Sequence, residues 1–250
     1  MNHSTKKNKI SVNLTPEIVH IWIANLCSPQ RELEPFYHIL SEDEKEKTNS
    51  YQFRQHQTKY IITHGILRML LAFYSNSDPE KLQYIYSSYG KPHLWNNPEI
   101  TFNISYSNEI GIFAFGFRQP IGIDIEYIRP MPDLQPMTDL LLSEAEKKHI
   151  TNSSDLSGLN LFYKFWTRKE ALVKAAGIGL SYPVRQISVS LEKEEVVEIP
   201  NVCTEKSGEG KWFVYELQNL KPYEGVLATK NQVREIHYFD WASDRPAIAQ

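Results

Sequence analysis

A chain of 250 residues, 41% hydrophobic and 23% charged, reads as a globular protein with room for one large core or two halves of about 120 residues each. Its formal net charge of −3 excludes the global basic field of a nucleic-acid binder. No apolar stretch approaches the ~20 residues a membrane helix needs.

The opening MNHSTKKNK is polar and basic, with no apolar run of leader length behind it, so a tail is expected there and a cytoplasmic location for the protein. Residues 19–24 (VHIWIA) read as a first strand. Leu40-Ser41-Glu42-Asp43-Glu44-Lys45 opens a helix: Ser41 can cap it, and Glu44 stands three residues on, as a capping box requires. Residues 59–74 carry apolar side chains at helical spacing and predict a long buried helix. Residues 82–87, 100–105 and 111–117 read as strands, the last with Phe113, Phe115 and Phe117 on one face. Arg118-Gln119-Pro120 turns the chain into a strand over 121–126.

The pattern then restarts. Leu142-Ser143-Glu144-Ala145-Glu146-Lys147 repeats L-S-E-x-E-K, a second long helical segment follows, and strands are expected over 186–191, 211–217 and 225–229. The reading is an α+β chain of two similar halves, 10–120 and 121–240, related by a pseudo-two-fold axis. Each half has a long helix packed on a small, mostly antiparallel sheet, and a ligand site between them is natural. Residues 240–250 read as a tail. Cys27 and Cys203 lack metal-type spacing and read as free thiols.

Three stretches can carry chemistry. On Gly122-Ile123-Asp124-Ile125-Glu126, a strand turns the isoleucines one way and Gly122, Asp124 and Glu126 the other. Two carboxylates on one face repel unless a hard cation stands between them, and a solvated acidic face is the plain alternative. Phe165 to Leu180 (FWTRKEALVKAAGIGL) is helical, with Glu170 and Lys174 four residues apart and Lys169 beside the apolar stripe; a surface ion pair is the alternative. Gly177 and Gly179 end that helix. Gly90-Lys91-Pro92 sets a lysine on a stiff turn, and Phe102 to Ser107 (FNISYS) is rich in short hydrogen-bonding side chains; a turn and a strand cap are the alternative.

In this order and spacing, G-K-P, F-N-I-S-x-S, G-I-D-I-E and F-W-T-R-K-E-A-x-x-K-A-x-G-x-G-L resemble the 4′-phosphopantetheinyl transferase superfamily over about residues 40–189. The length and suspected doubling resemble its two-half, monomeric Sfp type. The resemblance implies transfer of the 4′-phosphopantetheine arm of coenzyme A to a serine of an apo acyl or peptidyl carrier protein, releasing adenosine 3′,5′-bisphosphate. It implies Mg²⁺ held by Asp124, Glu126 and Glu170, with Glu170 and Lys174 catalytic. Coenzyme A contacts are carried onto Lys91, Pro92 and Ser105, with Lys169 beside them and Arg54, Lys59 and Arg68 in the region of the 3′-phosphate. Tyr106 departs from the family's Ser-His-Ser, since tyrosine donates a hydrogen bond but carries no positive charge at neutral pH. By the same analogy Leu180, Tyr182, Val184 and Arg185 face the carrier. A different metal-dependent phosphate enzyme, such as a nucleotide pyrophosphohydrolase, and a non-catalytic coenzyme A- or carrier-binding module remain the alternatives.

Overall fold

A computed structural model describes residues 14–27, 33–151, 155–179, 181–200 and 210–246. The expected tail MNHSTKKNK and the last four residues of the tail expected over 240–250, together with Leu180 and Cys203, lie outside the described residues. Two four-stranded sheets form the frame. The first holds β1 (Ile18–Asn25), β4 (Ile100–Ser107), β5 (Ile110–Phe117) and β10 (Glu235–Asp240) in the order β10-β1-β5-β4. The second holds β6 (Ile121–Tyr127), β7 (Glu194–Glu198), β8 (Lys211–Glu216) and β9 (Tyr223–Thr229) in the order β6-β9-β8-β7. All pairings in the two sheets are antiparallel except β1 with β10, which is parallel. A short hairpin joins β2 (Tyr84–Tyr86) to β3 (Pro92–Leu94). The mixed α+β class is as expected.

Period-two alternation distributes β1 between two cores. Val19 and Ile21 join Ile112, Ala114, Ile121, Ile123, Ile125 and Leu227 in one apolar cluster shared by both sheets. Trp22 and Ala24 face the other way, toward the helix α3 (Arg54–Ser75), with Phe113 and Phe115. The helix α6 (Asp155–Ala176) covers the second sheet in the same manner, over Val214, Val226 and Ala228. Both long helices are 22 residues.

A short capped helix precedes each of them. α1 (Leu33–His38) leads to α2 (Glu42–Asn49), where the Ser41 amide donates to Glu44 Oε2 at 2.9 Å and the Glu44 amide to Ser41 Oγ at 3.3 Å. α4 (Leu134–Leu141) leads to α5 (Glu144–Thr151), where the Ser143 amide donates to Glu146 Oε2 at 2.7 Å. Both capping glutamates are buried, and each reaches across to a cation on the long helix. Arg68 Nε donates to Glu44 at 2.5 Å; Lys169 Nζ stands 2.7 Å from Glu146.

Three expectations are corrected. No strand forms over 186–191: the Val189 amide goes to Glu146 Oε1 and the Ile187 amide to Val184 O, so the backbone is bonded locally instead of in a ladder. Residues 235–240, placed with the second half, form β10 on the first sheet. Beyond them the first residues of the expected tail form α7 (Trp241–Asp244), capped by Asp240.

Candidate functional site

The site forms where the two sheets meet edge to edge. β4 and β6 each end their sheet, and side chains take the place of a strand ladder between them. Asn103, Ser105 and Ser107 lie at period two on β4. They accept the amides of Ile123 (2.8 Å), Ile125 (3.4 Å) and Tyr127 (3.0 Å) on β6. The two serines also donate back, Ser105 to Asp124 Oδ1 at 2.8 Å and Ser107 to Glu126 Oε2 at 2.9 Å. Sequence reasoning flagged the short polar run but not this bridging role; its alternation, i, i+2 and i+4, was the available signal.

From the other side α6 presses directly on β6. A Cβ on Gly122 would stand 2.2 Å from Ala171 O and 2.3 Å from the Ala175 amide nitrogen. Gly122 therefore makes room for a helix. This close approach sets Glu170 and Lys174 against the acidic face of β6. Lys174 Nζ donates to Asp124 Oδ1 at 2.6 Å and to Ser105 Oγ at 3.1 Å. Asp124 Oδ2 and Glu170 Oε1 are buried without a hydrogen-bond partner. Burial, then the Asp124 charge, pushes the Glu170 carboxyl up to about 7, against the pull of Lys174. The Glu126 carboxyl is raised by the same two causes.

Asp124, Glu126, Glu170, Lys174 and Ser105 are thus brought together. Among the described residues no three His, Cys, Asp or Glu side chains stand as a ready-made metal cage. The Lys174 ammonium occupies the position of the neutralising cation beside Asp124. The donor chemistry nonetheless fits a hard divalent ion: every acid is a carboxylate, two of their buried oxygens are without partners, and burial, then mutual repulsion, raises two of their carboxyls.

The remaining predicted residues divide. Tyr106 points to the opposite side of β4 from Ser105, is 44% exposed, and its hydroxyl contributes to raising Tyr51 and Tyr60. Arg54 and Lys59 lie in the first turns of α3, Arg54 exposed, and Pro92 opens β3 half-buried. Arg68, expected near the 3′-phosphate, is buried against Glu44, Pro79 O and Leu82 O. Lys169 is likewise removed from the ligand side: its ammonium is 0% exposed, paired with Glu146 and donating to Leu141 O and Val184 O. A charge beside an apolar stripe needs a partner, and here the partner is Glu146. Lys91 Nζ donates to Ile121 O, Lys174 O and Ala175 O. Burial draws it down to about 7, while the three carbonyl acceptors favour the protonated form. Of the expected carrier face, Val184 is buried, the Tyr182 hydroxyl donates to Pro200 O, and Arg185 pairs with Glu144.

Residues 120–224 match the model of the 4′-phosphopantetheinyl transferase superfamily. A 4′-phosphopantetheinyl transferase of Bacillus subtilis is 30% identical over 163 residues, covering 64% of this chain and 70% of that one. The chain belongs to this superfamily. The transferase is also 29% identical to HetI of Nostoc sp. over 202 residues, covering 80% of this chain and 85% of HetI. To Sfp of Bacillus subtilis it is 29% identical over 170 residues, covering 68% and 75%. The family match begins just ahead of β6 and spans α6, so it takes in all four charged residues of the cluster. Among the described residues, no helix of the transferase is long and apolar enough to cross a membrane.

Proposed function

We propose that this transferase moves the 4′-phosphopantetheine arm of coenzyme A onto a serine hydroxyl of an apo acyl or peptidyl carrier protein, releasing adenosine 3′,5′-bisphosphate. The observation that carries the reading is the convergence on Glu170: a buried carboxyl with one oxygen unpartnered, within a helical turn of Lys174, whose ammonium holds Asp124 at 2.6 Å. A carboxyl poised there is suited to accept the proton of an attacking hydroxyl at neutral pH. The serine oxygen bonds to the phosphorus that carries pantetheine, the bond from that phosphorus to the adenosine bisphosphate oxygen breaks, and the serine proton goes to Glu170. Lys174 faces the charge that develops on the leaving phosphate.

Mg²⁺ would be held by Asp124, Glu126 and Glu170, and when bound it supplies the charge neutralisation an anionic pyrophosphate needs. Ser105 and Ser107 orient Asp124 and Glu126 from the first sheet. Arg54 and Lys59, at the start of a 22-residue helix without a side-chain cap, supply positive potential for the coenzyme A phosphates. Ser105 and Pro92 line the approach from the first half, and Tyr106, on the other side of β4, serves as a neutral donor by a longer reach. The division follows: residues 10–120 carry the coenzyme A elements and 121–240 the metal and catalytic elements. The two halves are related as a repeat, supported by the matched capped helices and long helices. The enzyme acts as a cytoplasmic monomer.

Incubation of an apo carrier protein with coenzyme A and Mg²⁺, read by mass spectrometry, is expected to add the arm with the wild-type chain. Glu170→Gln, or chelator in excess, is expected to reduce transfer by at least about 10²-fold. Wild-type rates from Glu170→Gln overturn the role of Glu170, full activity in chelator overturns the metal, and cleavage of coenzyme A without an acceptor overturns the transferase reading for a hydrolase.

A further inference from the structure

Lys91 stands on the first half, yet all three of its ammonium hydrogens have acceptors on the second. They go to Ile121 O at the start of β6 (2.8 Å), and to Lys174 O (2.7 Å) and Ala175 O (2.9 Å) in the last turn of α6. Carbonyls in a helix's last turn lack intrahelical donors and carry the negative end of the helix dipole, so a lysine there is both a cap and a counter-charge. One of those carbonyls belongs to Lys174, whose side chain holds Asp124. A single nitrogen therefore fixes the backbone of Lys174 and the origin of the strand that carries Asp124.

The surrounding chain is shaped to this contact. Gly177 and Gly179 leave α6 at φ +65° and +74°. A Cβ on Gly177 would stand 3.3 Å from Lys91 Cδ, and one on Gly179 would stand 3.3 Å from Tyr89 Cβ. The G-K-P turn and the G-x-G helix exit, more than eighty residues apart, form one packed unit.

We propose that Lys91 is a positioning residue, a clasp that fixes the end of α6 against β6 and so sets Glu170 and Lys174 relative to Asp124, and is not a coenzyme A phosphate ligand. The inference rests on the proposed transfer chemistry only for its effect on turnover. The geometry of the clasp stands apart from that reading. An ammonium already donating to three carbonyls has no hydrogen left for a phosphate.

Two substitutions separate the roles. Lys91→Met keeps the aliphatic stem and deletes the donors. Lys91→Arg keeps the charge and suits a phosphate at least as well, but a planar fork cannot direct three donors from one nitrogen. Both variants are expected to speed amide hydrogen exchange across residues 171–179. Both are expected to lower kcat about tenfold or more, as loss of charge-assisted hydrogen bonds implies, with the coenzyme A Kd from calorimetry within about twofold of wild type. Restoration of wild-type transfer and affinity by Lys91→Arg, or a tenfold weaker Kd with unchanged exchange in Lys91→Met, overturns the clasp. Loss of folding in both variants supports it, because removing a ligand contact alone leaves a fold standing. Exchange and calorimetry need no turnover, so they decide the clasp even if wild-type protein transfers nothing.

Discussion

Helices α3 and α6 have the same length and the same anchor. In each, a capped helix ahead of the long one supplies a buried glutamate, which binds a cation on the long helix: Arg68 with Glu44, and Lys169 with Glu146. The cations stand at matching depths, fourteen residues after Arg54 and after Asp155. The surfaces they rest on differ. α3 lies on Trp22, Phe113 and Phe115, with the buried His20 beside them and no carboxylate in that set. α6 lies on Gly122, Asp124 and Glu126, and brings Glu170 and Lys174 down to them. The anchor is common structure, whereas the chemistry comes from what is exchanged between helix and strand.

The strongest way to break this comparison is to cut both anchors. Removing one partner of a buried ion pair leaves the other uncompensated, so Glu44→Ala and Glu146→Ala should each cost roughly 3–5 kcal/mol in denaturant unfolding. Their effects on transfer should differ. Lys169 immediately precedes Glu170, so Glu146→Ala should lower kcat in the folded fraction, while Glu44→Ala should leave kcat near wild type. An equal loss of kcat from both would mean that the first half's anchor also sets the site.

That pair also measures how far the sequence could be read. The repeated L-S-E-x-E-K identified both capped helices, and the G-I-D-I-E strand with its K-E-x-x-x-K helix identified the acids that meet. Lys169 and Arg68 read as ligand contacts, and in the fold each is held by a glutamate, for one reason. A cation on a helical face declares that it needs an anion, but not whether that anion is a ligand or a glutamate some two dozen residues away. Lys91 likewise finds its acceptors within the chain, in three carbonyls. The alternation of Asn103, Ser105 and Ser107 marks a polar strand face, but what that face bridges to, the edge of the other sheet, lies beyond any local pattern. The parallel pairing of β10 with β1 joins the two ends of the chain and was equally invisible.

A smaller effect sharpens the contrast between the helix–sheet contacts. Gly122→Ala drives a methyl into the backbone of α6, at Ala171 O and the Ala175 amide. Gly65→Ala, within α3, meets Phe36 at its Cβ (2.6 Å) and ring, so the six-residue helix α1, and not a sheet strand, has to give way. Overpacking typically costs about 1–3 kcal/mol, and alanine returns up to about 1 kcal/mol of helix propensity at position 65. Thermal unfolding should place Gly122→Ala well below Gly65→Ala, and only Gly122→Ala should lose transfer. Comparable activity from the two would show that α6 tolerates displacement and that its contact with β6 does not set the site.

The smallest effect is a pH response of opposite sign in the two regions. Beneath α3, His20 is buried, its Nδ1 against the Tyr74 hydroxyl at 2.8 Å and its ring stacked on His237. Burial, then the His237 charge, lowers it from 6.5 to about 4. The unfolded chain therefore binds this proton first, and the stability His20 contributes is complete above pH 6.5 and is lost as pH falls toward 4. Beneath α6, Glu170 is raised from 4.5 to about 7, so the folded chain binds that proton first, and stability is gained as pH falls from 7 to 4.5. In chelator the two tend to cancel, and single substitutions uncover them. With Glu170→Gln, lowering the pH from 6.5 to 5 should cost about 1–2 kcal/mol of unfolding free energy through His20. With His20→Gln the same step should stabilise the chain. If both variants moved in the same direction, the acid response would come from charges shared by the two halves, and the contrast between the α3 face with its imidazole and the α6 face with its carboxylates would not extend to their protons.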